Sequence, residues 1–181
     1  MVENADDHKA YKLGEILITE DEIKRRAAEI GDEISRSLDG EPVLIVGILK
    51  GAVMWMSDLI KQITAPVIID FIAVSSYGAA VESSGVVRII KDLDIVISGL
   101  NVIIVEDIID SGVTLNYVTE ILQARGPKSL KICVLLDKPA RRKADIEIDY
   151  VGFTIDDLFV VGYGLDVDQR YRNLPYITYI K

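Results

Sequence analysis

The stretch Val102-Ile103-Ile104-Val105-Glu106-Asp107-Ile108-Ile109-Asp110-Ser111-Gly112-Val113-Thr114-Leu115 combines a buried-strand pattern, a group of acids and the start of a helix. Four apolar residues lead directly into two adjacent acids, and a third acid, hydroxyl side chains and a glycine follow. This order predicts a strand that ends near Val105, a turn through Gly112 and a helix over residues 114–124. Because the first backbone N–H groups of a helix have no partner within it, the turn is expected to bind a phosphate.

The side chains around this turn have a chemical and a purely structural interpretation. In the chemical one, the hydroxyls of Ser111 and Thr114 assist the backbone in phosphate binding, while Glu106 and Asp107 bind sugar hydroxyls or Mg²⁺. In the structural one, Asp110 and Ser111 are ordinary helix caps and the two preceding acids form a solvated strand end. Two acids directly after four apolar residues, followed by Asp-Ser-Gly-x-Thr, favour the chemical interpretation.

Other apolar runs along the chain have the length of buried strands and alternate with helical patterns. Apolar residues recur at helical spacing from Ile23 to Ile34, after Thr19 or Glu20, which predicts a capped helix that ends around residues 38–40. The alternation predicts an α/β fold with a mostly parallel central sheet flanked by helices, and ligands at the carboxyl ends of the strands. We expect one domain over residues 1–181, with strands near residues 43–49, 67–74, 86–90, 101–105, 130–136, 150–153, 159–161 and 177–180 and a further helix at 52–63.

Composition narrows the classes of function. The formal net charge of −9 argues against broad non-specific binding to nucleic acid, since such binding depends on Lys and Arg. His8, the one histidine, lies in the polar N-terminal tail, which removes histidine-based triads and multi-histidine metal sites from consideration. Cys133 is the one cysteine, so an intrachain disulfide is excluded. The apolar runs are too short to span a bilayer and the opening residues lack a secretory pattern, so we expect a cytoplasmic protein without a membrane partner.

The run Glu-Asp-Ile-Ile-Asp-Ser-Gly from Glu106 to Gly112 resembles the phosphoribosyl pyrophosphate-binding signature of type I phosphoribosyltransferases, especially their hypoxanthine-guanine branch. The resemblance covers nearly the whole chain. It implies a Mg²⁺-dependent purine salvage enzyme that joins a 6-oxopurine base, hypoxanthine or guanine, to the ribose 5-phosphate of phosphoribosyl pyrophosphate. It also implies a core near residues 40–160, a small hood from about residues 1–20 and 155–181, a flexible lid near residues 75–85, and a homodimer or homotetramer.

By this resemblance, three segments bind phosphoribosyl pyrophosphate. Lys50 and Gly51 belong to a pyrophosphate-binding loop that in the family contains a non-proline cis peptide bond, and Arg172 also reaches the pyrophosphate. Val113 departs from the pattern, because some family members carry a lysine there, and the turn then lacks that lysine's charge. The contacts implied for the decisive stretch itself are those of Glu106, Asp107, Asp110, Ser111, Gly112, Val113 and Thr114.

Base recognition is implied for two further segments. Lys138 is expected to donate to the purine O6, Phe159 to stack on the ring, and the Val160 backbone to contact the base edge. Because a lysine side chain offers donors alone, adenine, which presents an amino donor at this position, should be rejected. Asp110 is expected to take the N7 proton as general base.

The resemblance also implies a metal site and a lid. Asp166 is expected to bind Mg²⁺ together with Glu106 and Asp107. Small residues would permit a lid to close over the reacting centre and exclude water. The lid is expected to begin with Ser75, Ser76, Tyr77 and Gly78.

Two alternatives stay open. The first is a phosphoribosyltransferase for another base, above all xanthine, because Lys138 and Phe159 disfavour adenine, uracil and orotate. The second is a non-catalytic regulator of the same fold that binds a nucleotide or RNA, which the presence of Lys50 and Asp110 and the acidic balance disfavour. Residues 54–56, Met-Trp-Met, could form a subunit interface, although core packing explains them equally well.

Overall fold

The computed structural model describes residues 11–76 and 87–181. A 3₁₀ turn over Pro139–Arg141 follows the strand that ends at Asp137. Within the described residues, no helix is both long and apolar enough to cross a membrane. The elements in chain order are β1 (Leu13–Ile18), α1 (Glu20–Leu38), β2 (Val43–Leu49), α2 (Val53–Ile60), β3 (Val67–Ser76), β4 (Val87–Lys91), β5 (Asn101–Ile109), α3 (Val113–Gln123), β6 (Ser129–Asp137), β7 (Tyr150–Thr154), β8 (Val160–Val161) and β9 (Ile177–Ile180).

The central sheet has the strand order β4-β3-β2-β5-β6-β7. Neighbouring strands from β3 to β7 are parallel, and β4 pairs antiparallel with β3 at the edge. Residues 43–48 of β2 are buried because this strand lies between β3 and β5 and is covered on both faces. The sheet confirms the predicted α/β fold with mostly parallel strands.

Helices cover both faces of this sheet. On one face, α1 and α2 contribute Ile30 and Trp55, both fully buried, to an apolar cluster with residues of β2 and β5. On the other face, α3 contributes Val118 and Leu122 to a second cluster. The apolar residues that recur at helical spacing in α1 therefore face the core. In the Met-Trp-Met run of α2, Trp55 and Met56 are core residues, whereas Met54 is 40% exposed.

α1 begins after Thr19, as its sequence predicts. Thr19 Oγ1 accepts a hydrogen bond from the Glu22 backbone N–H at 3.3 Å, and Glu22 Oε2 accepts one from the Thr19 backbone N–H at 2.8 Å. This reciprocal capping box satisfies donors that the first turn of a helix leaves unpaired. Asp39, with φ of 49°, follows the last residue of the helix.

Terminal segments form a separate sheet of three strands in the order β1-β9-β8. Leu13 pairs with Ile180, and the Thr178 hydroxyl donates to the Glu15 carbonyl at 2.8 Å. The sequence did not predict β1, because this strand leaves Ile16 52% exposed and pairs with a segment at the other end of the chain. The domain boundaries given for core and hood stay predictions.

The predicted end of the decisive strand is wrong by several residues. β5 continues to Ile109 because Glu106 pairs with Val134 and Ile109 with Asp137 of β6. Glu106 and Asp107 are therefore strand residues near the carboxyl end of β5 rather than residues that follow it.

Two other boundaries also differ from the apolar pattern. β3 extends to Ser76, because Ser75 pairs with Arg88 and Ser76 with Val87, so the predicted lid begins inside a strand. Tyr77, Gly78 and the rest of the lid to residue 85 lie outside the described residues. α2 ends at Ile60 rather than at residue 63, because the N–H groups of residues 62 and 63 bond to carbonyls three residues back in a tightened turn.

The capping box yields a stability prediction. Thr19→Ala removes the side-chain acceptor for the Glu22 N–H, and we expect the free energy of unfolding to fall by about 0.5–2 kcal/mol. Urea denaturation followed by circular dichroism measures this change. Thr64→Ala is the matched control at another exposed threonine. An equal loss in both variants would contradict the capping role.

Candidate active site

A cleft of about 310 Å³ lies where the loops after β5 and β6 meet the segment around β8. This volume is in the range of small-molecule sites, and it occupies the carboxyl edge of the parallel sheet, where such sites occur. We refer to it as the main cleft. It is lined by Asp107, Ile108, Asp110, Lys138, Arg141, Leu158, Phe159, Val160, Leu165 and Asp166.

The turn between β5 and α3 adjoins the main cleft. Gly112 is the N-cap of α3, and the Val113 N–H lies 3.4 Å from Ser111 Oγ. The Ser111 carbonyl accepts hydrogen bonds from the N–H groups of residues 143 and 144, and these bonds fix the turn to the segment after β6. A smaller cavity of about 170 Å³ is lined by residues of this turn and of β5, namely Glu106, Ile108, Ile109, Asp110, Ser111, Gly112, Thr114 and Leu115.

Two adjacent acids, Glu106 and Asp107, lie close together near the carboxyl end of β5. Glu106 Oε2 is buried and accepts no hydrogen bond from the described residues, whereas Asp107 Oδ1 accepts one from the Ile108 N–H at 2.8 Å. Burial raises the pKa of Glu106 well above its usual value, and the charge of Asp107 adds to this effect. Burial also raises the pKa of Asp107, although the Ile108 N–H and the charge of Arg172 oppose the shift.

These acids have the chemistry that Mg²⁺ prefers. Carboxylate oxygens are hard ligands, and the unpartnered oxygens Glu106 Oε2 and Asp110 Oδ1 lie beside the two cavities. Among the described residues, no group of three or more His, Cys, Asp or Glu side chains is arranged to hold a metal. Mg²⁺ commonly takes one or two protein carboxylates and completes its shell with water and substrate phosphates.

The loop after β2 packs directly against β5. The Leu49–Lys50 peptide bond is cis, as the resemblance implied. A Cβ atom on Gly51 would lie 1.5 Å from Asp107 Oδ2, so this close approach requires glycine. The loop therefore brings Lys50 to the edge of the sheet where the two acids lie.

Arg172, Asp166 and Lys50 are joined through Gln169. Arg172 Nη2 forms an ion pair with Asp166 Oδ1 at 2.6 Å, and the Gln169 backbone N–H donates to Asp166 Oδ2 at 2.8 Å. Gln169 Oε1 accepts hydrogen bonds from Lys50 Nζ at 3.2 Å and from Arg172 Nη2 at 3.4 Å. One neutral oxygen thus lies between the two cations predicted to bind pyrophosphate.

At the other end of the main cleft, an ion-pair network surrounds Lys138. Lys138 is 5% exposed, and its Nζ lies 3.3 Å from Asp157 Oδ1. Arg141 Nε contacts the same carboxylate oxygen at 2.6 Å, and Arg141 Nη1 lies 3.9 Å from Asp110 Oδ2. Phe159 leaves 59% of its surface exposed beside this network, where a planar ligand could stack.

The structure groups the predicted site residues in three places. Asp107, Asp110, Lys138, Phe159, Val160 and Asp166 line the main cleft, and Glu106, Ser111, Gly112 and Thr114 line the adjoining cavity. Lys50 and Arg172 meet at Gln169, Gly51 contacts Asp107, and Val113 is 40% exposed on the first turn of α3. Ser75 and Ser76 lie at the carboxyl end of β3, and Ser75 lines neither cavity.

Sequence reasoning missed Arg141, Asp157 and Gln169. The first two stand close to predicted residues, after Lys138-Pro139 and before Phe159, and this proximity was the available signal. Their roles depend on ion pairs between segments that are distant in the chain, which a residue pattern does not reveal.

Because Glu106 and Asp107 repel each other when both are charged, we expect the protein to become more stable when Glu106 is neutralised. Because the folded-state pKa of Glu106 lies above its unfolded value, stability is lost as the pH rises from the unfolded pKa through the folded-state pKa. In the presence of chelator, Glu106→Gln should therefore raise the free energy of unfolding at neutral pH by about 0.5–2 kcal/mol and flatten its pH dependence. Urea unfolding across a pH series measures both effects. The control is Glu147→Gln, at an exposed position, and a gain no larger than that of the control would refute the prediction.

Comparisons with known proteins identify the family of the chain. The phosphoribosyl transferase domain family matches residues 14–168. The chain is 51% identical to a hypoxanthine-guanine phosphoribosyltransferase of Bacillus subtilis over 94% of this chain and 95% of the relative. A Staphylococcus aureus protein of the same name is 53% identical, over 93% of this chain and 94% of the relative.

Solved structures give the same result. A crystal structure of a hypoxanthine phosphoribosyltransferase from Staphylococcus aureus superposes with a TM-score of 0.90 at 53% identity, covering 93% of this chain and 92% of that chain. A hypoxanthine-guanine phosphoribosyltransferase from Bacillus anthracis, with a HEPES molecule in its active site, gives a TM-score of 0.90 at 45% identity, over 94% and 100% of the two chains. The chain therefore belongs to the phosphoribosyltransferase family.

Proposed function

We propose that this chain is a purine salvage enzyme that converts hypoxanthine or guanine and phosphoribosyl pyrophosphate to IMP or GMP and pyrophosphate. The main cleft carries this proposal, because it joins Lys138, Phe159 and Asp110 in one volume. A donor, an aromatic face and a carboxylate are groups that can recognise a 6-oxopurine and remove its proton. The names of the relatives support the assignment.

The network around Lys138 supports a preference for a 6-oxo group. Hydrogen bonds from Arg141 and Lys138 lower the pKa of Asp157, so Asp157 stays charged and orients the buried lysine. Hypoxanthine and guanine offer an acceptor at O6 to this lysine. Adenine offers an amino group, which would leave the buried lysine without a partner in the base and is rejected for that reason. Phe159 stacks on the ring, and the Val160 backbone contacts the base edge.

Phosphoribosyl pyrophosphate would occupy both cavities. Its ribose phosphate binds the backbone N–H groups and hydroxyls of residues 111–114, in the smaller cavity, where a helix N-terminus favours an anion. Its pyrophosphate group binds Lys50 and Arg172 and replaces Gln169 Oε1 between them. The ribose hydroxyls lie against Glu106 and Asp107.

Mg²⁺ would be held by the carboxylates Glu106, Asp107 and Asp166, one or two of them to each ion, together with oxygens of the substrate. The buried, unpartnered Glu106 Oε2 and the raised pKa values of the two adjacent acids support a cation at this place. When bound, the ion offsets the negative charge of the pyrophosphate leaving group.

The protein's own residues would then position and deprotonate the base. Asp110 takes the N7 proton as the purine displaces pyrophosphate from the anomeric carbon through an oxocarbenium-like transition state. Stacking on Phe159 and anchoring of the ribose phosphate align the two reactants, and much of the rate enhancement comes from this alignment. A lid after the end of β3, which would include Tyr77 and Gly78 but not the paired Ser75 and Ser76, would exclude water from the reacting carbon.

The cellular setting forms part of the same proposal. A cytoplasmic location fits an enzyme whose substrates are small intracellular metabolites, and neither nucleic acid nor membrane is required as a partner. We propose a homodimer or homotetramer, and the exposed Val53 and Met54 on the first turn of α2 are candidates for its interface.

The alternatives predict different chemistry. A xanthine enzyme would use the same O6 contact and would differ in contacts from backbone carbonyls to the other edge of the base. A non-catalytic regulator would bind a nucleotide or RNA without releasing pyrophosphate. The pairing of Lys138 with Asp157 beside Asp110 favours catalysis over the regulator.

The first test is a panel of bases. We expect the purified protein with phosphoribosyl pyrophosphate and Mg²⁺ to form nucleotide from hypoxanthine and guanine, and not from adenine, uracil or orotate. Xanthine in the same panel separates the closest alternative. Excess chelator should abolish turnover. Binding of phosphoribosyl pyrophosphate without turnover of any base would favour the regulator instead.

Two substitutions should separate base binding from chemistry. Lys138→Ala should raise the KM for hypoxanthine about tenfold to a hundredfold and relax discrimination against adenine, because the O6 donor is lost. Asp110→Asn should lower the single-turnover rate about a hundredfold or more, because the general base is lost. The control is Asp21→Asn, an exposed acid on α1, which should change neither value. A wild-type single-turnover rate in Asp110→Asn would exclude Asp110 as the general base.

A further inference from the structure

Backbone strain is concentrated in the segment that carries Asp166. Five non-glycine residues of the described chain have positive φ, and four of them lie within residues 163–171. The four are Tyr163, Asp168, Gln169 and Tyr171. Such conformations are uncommon for side chains other than glycine and persist where surrounding contacts hold them, often at ligand-binding sites.

Tyr163 is the buried member of this group. Its φ is 49° and its side chain is 6% exposed, with the hydroxyl pointing to α2. Tyr163 Oη donates to Asp58 Oδ2 at 2.6 Å and lies 3.4 Å from the Met54 carbonyl. Asp58 also forms an ion pair with Lys61 Nζ at 2.9 Å. The strained residue is therefore tied to a charged acceptor on the helix that follows the Lys50–Gly51 loop.

The backbone on either side of Tyr163 contacts the site directly. A Cβ atom on Gly164 would lie 2.1 Å from the Gly51 carbonyl, so the two loops touch backbone to backbone. The Gly164 carbonyl accepts a hydrogen bond from Arg172 Nη1 at 2.6 Å, and the Gly164 N–H donates to the Arg172 carbonyl at 3.0 Å. A small displacement at residue 163 would thus be transmitted to Gly51, Arg172 and Asp166.

Both partners of the hydrogen bond keep the required protonation state at neutral pH. Burial, and then the hydrogen bond to Asp58, raise the pKa of Tyr163, so the phenol remains a donor. Burial acts to raise the pKa of Asp58, but hydrogen bonds from Tyr163 and Lys61 outweigh it, so the pKa is lowered and the acceptor remains charged. A hydrogen bond to a charged acceptor is stronger than one between neutral groups.

We propose that Tyr163 is a positioning residue for the transferase reaction, whose hydroxyl, anchored on Asp58, holds residues 162–166 against the Lys50–Gly51 loop. The inference rests on the proposed function, because it assigns Tyr163 to the part of the site that would bind pyrophosphate and Mg²⁺. Tyr163 need not touch the substrate. It sets the distance of the Asp166 carboxylate from the cationic side chains of Lys50 and Arg172.

A second buried tyrosine provides a matched control. Tyr150 is 7% exposed, and its hydroxyl bonds to Ser37 Oγ at 3.1 Å and to Lys131 Nζ at 3.0 Å. It is the first residue of β7, whereas the main cleft lies at the carboxyl end of the sheet. Tyr150→Phe and Tyr163→Phe therefore remove the same atom from equally buried, hydrogen-bonded phenols, and Tyr150 lines neither cavity of the candidate site.

The experiment compares Tyr163→Phe, Asp58→Asn, the double variant and Tyr150→Phe in the full chain. We expect Tyr163→Phe to lower kcat/KM for phosphoribosyl pyrophosphate about tenfold to a hundredfold while the KM for hypoxanthine changes little. Asp58→Asn should act in the same direction, and the double variant should be no worse than the more severe single one, because both remove one interaction. Tyr150→Phe should lose about as much thermal stability as Tyr163→Phe, but its kcat/KM for phosphoribosyl pyrophosphate and its KM for hypoxanthine should equal those of the wild type.

Two further measurements keep the test independent of turnover. Amide hydrogen exchange at residues 162–166 should be faster in Tyr163→Phe than in Tyr150→Phe, and calorimetry should show weaker binding of phosphoribosyl pyrophosphate. If both kinetic constants and exchange in Tyr163→Phe match those of Tyr150→Phe, the positioning role is wrong while the proposed function stands. If the wild type transfers to no base, the proposed function fails. In that case faster exchange with weaker binding supports the positioning role, and no change in either overturns it.

Discussion

Parallel pairing of β5 with β2 on one side and with β6 on the other is the constraint on which the rest of the structure depends. Residues 102–105 are buried, so their backbone polar groups must be paired within the sheet. The register of these pairs sets the carboxyl ends of three strands at one edge. The loops that follow carry Lys50, Asp110 and Lys138. A one-residue shift in pairing would exchange the side chains that β5 contributes to the two apolar clusters on either side of the sheet. The pairing of the buried strands thus determines where the residues of the candidate site lie.

The candidate site contains several cationic side chains although the chain as a whole is negatively charged. The chain carries −9 overall, yet Lys138 and Arg141 share Asp157, and Arg172 pairs with Asp166. Each of these cations has an acceptor within the protein, whereas Glu106 Oε2 has no hydrogen-bond partner in the part of the chain that the structure describes. The internal ion pairs support the proposed binding of an anion, and the repulsion between the acids of β5 supports the proposed binding of Mg²⁺.

Local signals in the sequence account for the elements that were predicted well. The capping box at Thr19 depends on residues three apart, and the buried run of β2 depends on seven consecutive apolar residues. Prediction was weaker where pairing is non-local. β1 pairs with β9 at the other end of the chain, and β5 runs on to Ile109 because β6 supplies partners for its polar residues.

The sequence by itself determined the class of the fold and the groups available for chemistry, because strand burial, helix amphipathicity and the order of acids, hydroxyls and glycine are written in neighbouring residues. Only the tertiary structure decided how those groups are used. It placed Asp157 between Lys138 and Arg141, Gln169 between Lys50 and Arg172, and Tyr163 on Asp58. The contacts of Gln169 with Lys50, of Tyr163 with Asp58 and of Asp157 with Lys138 and Arg141 join separate segments of the chain. They therefore depend on the packing of loops at one edge of the sheet rather than on any local pattern.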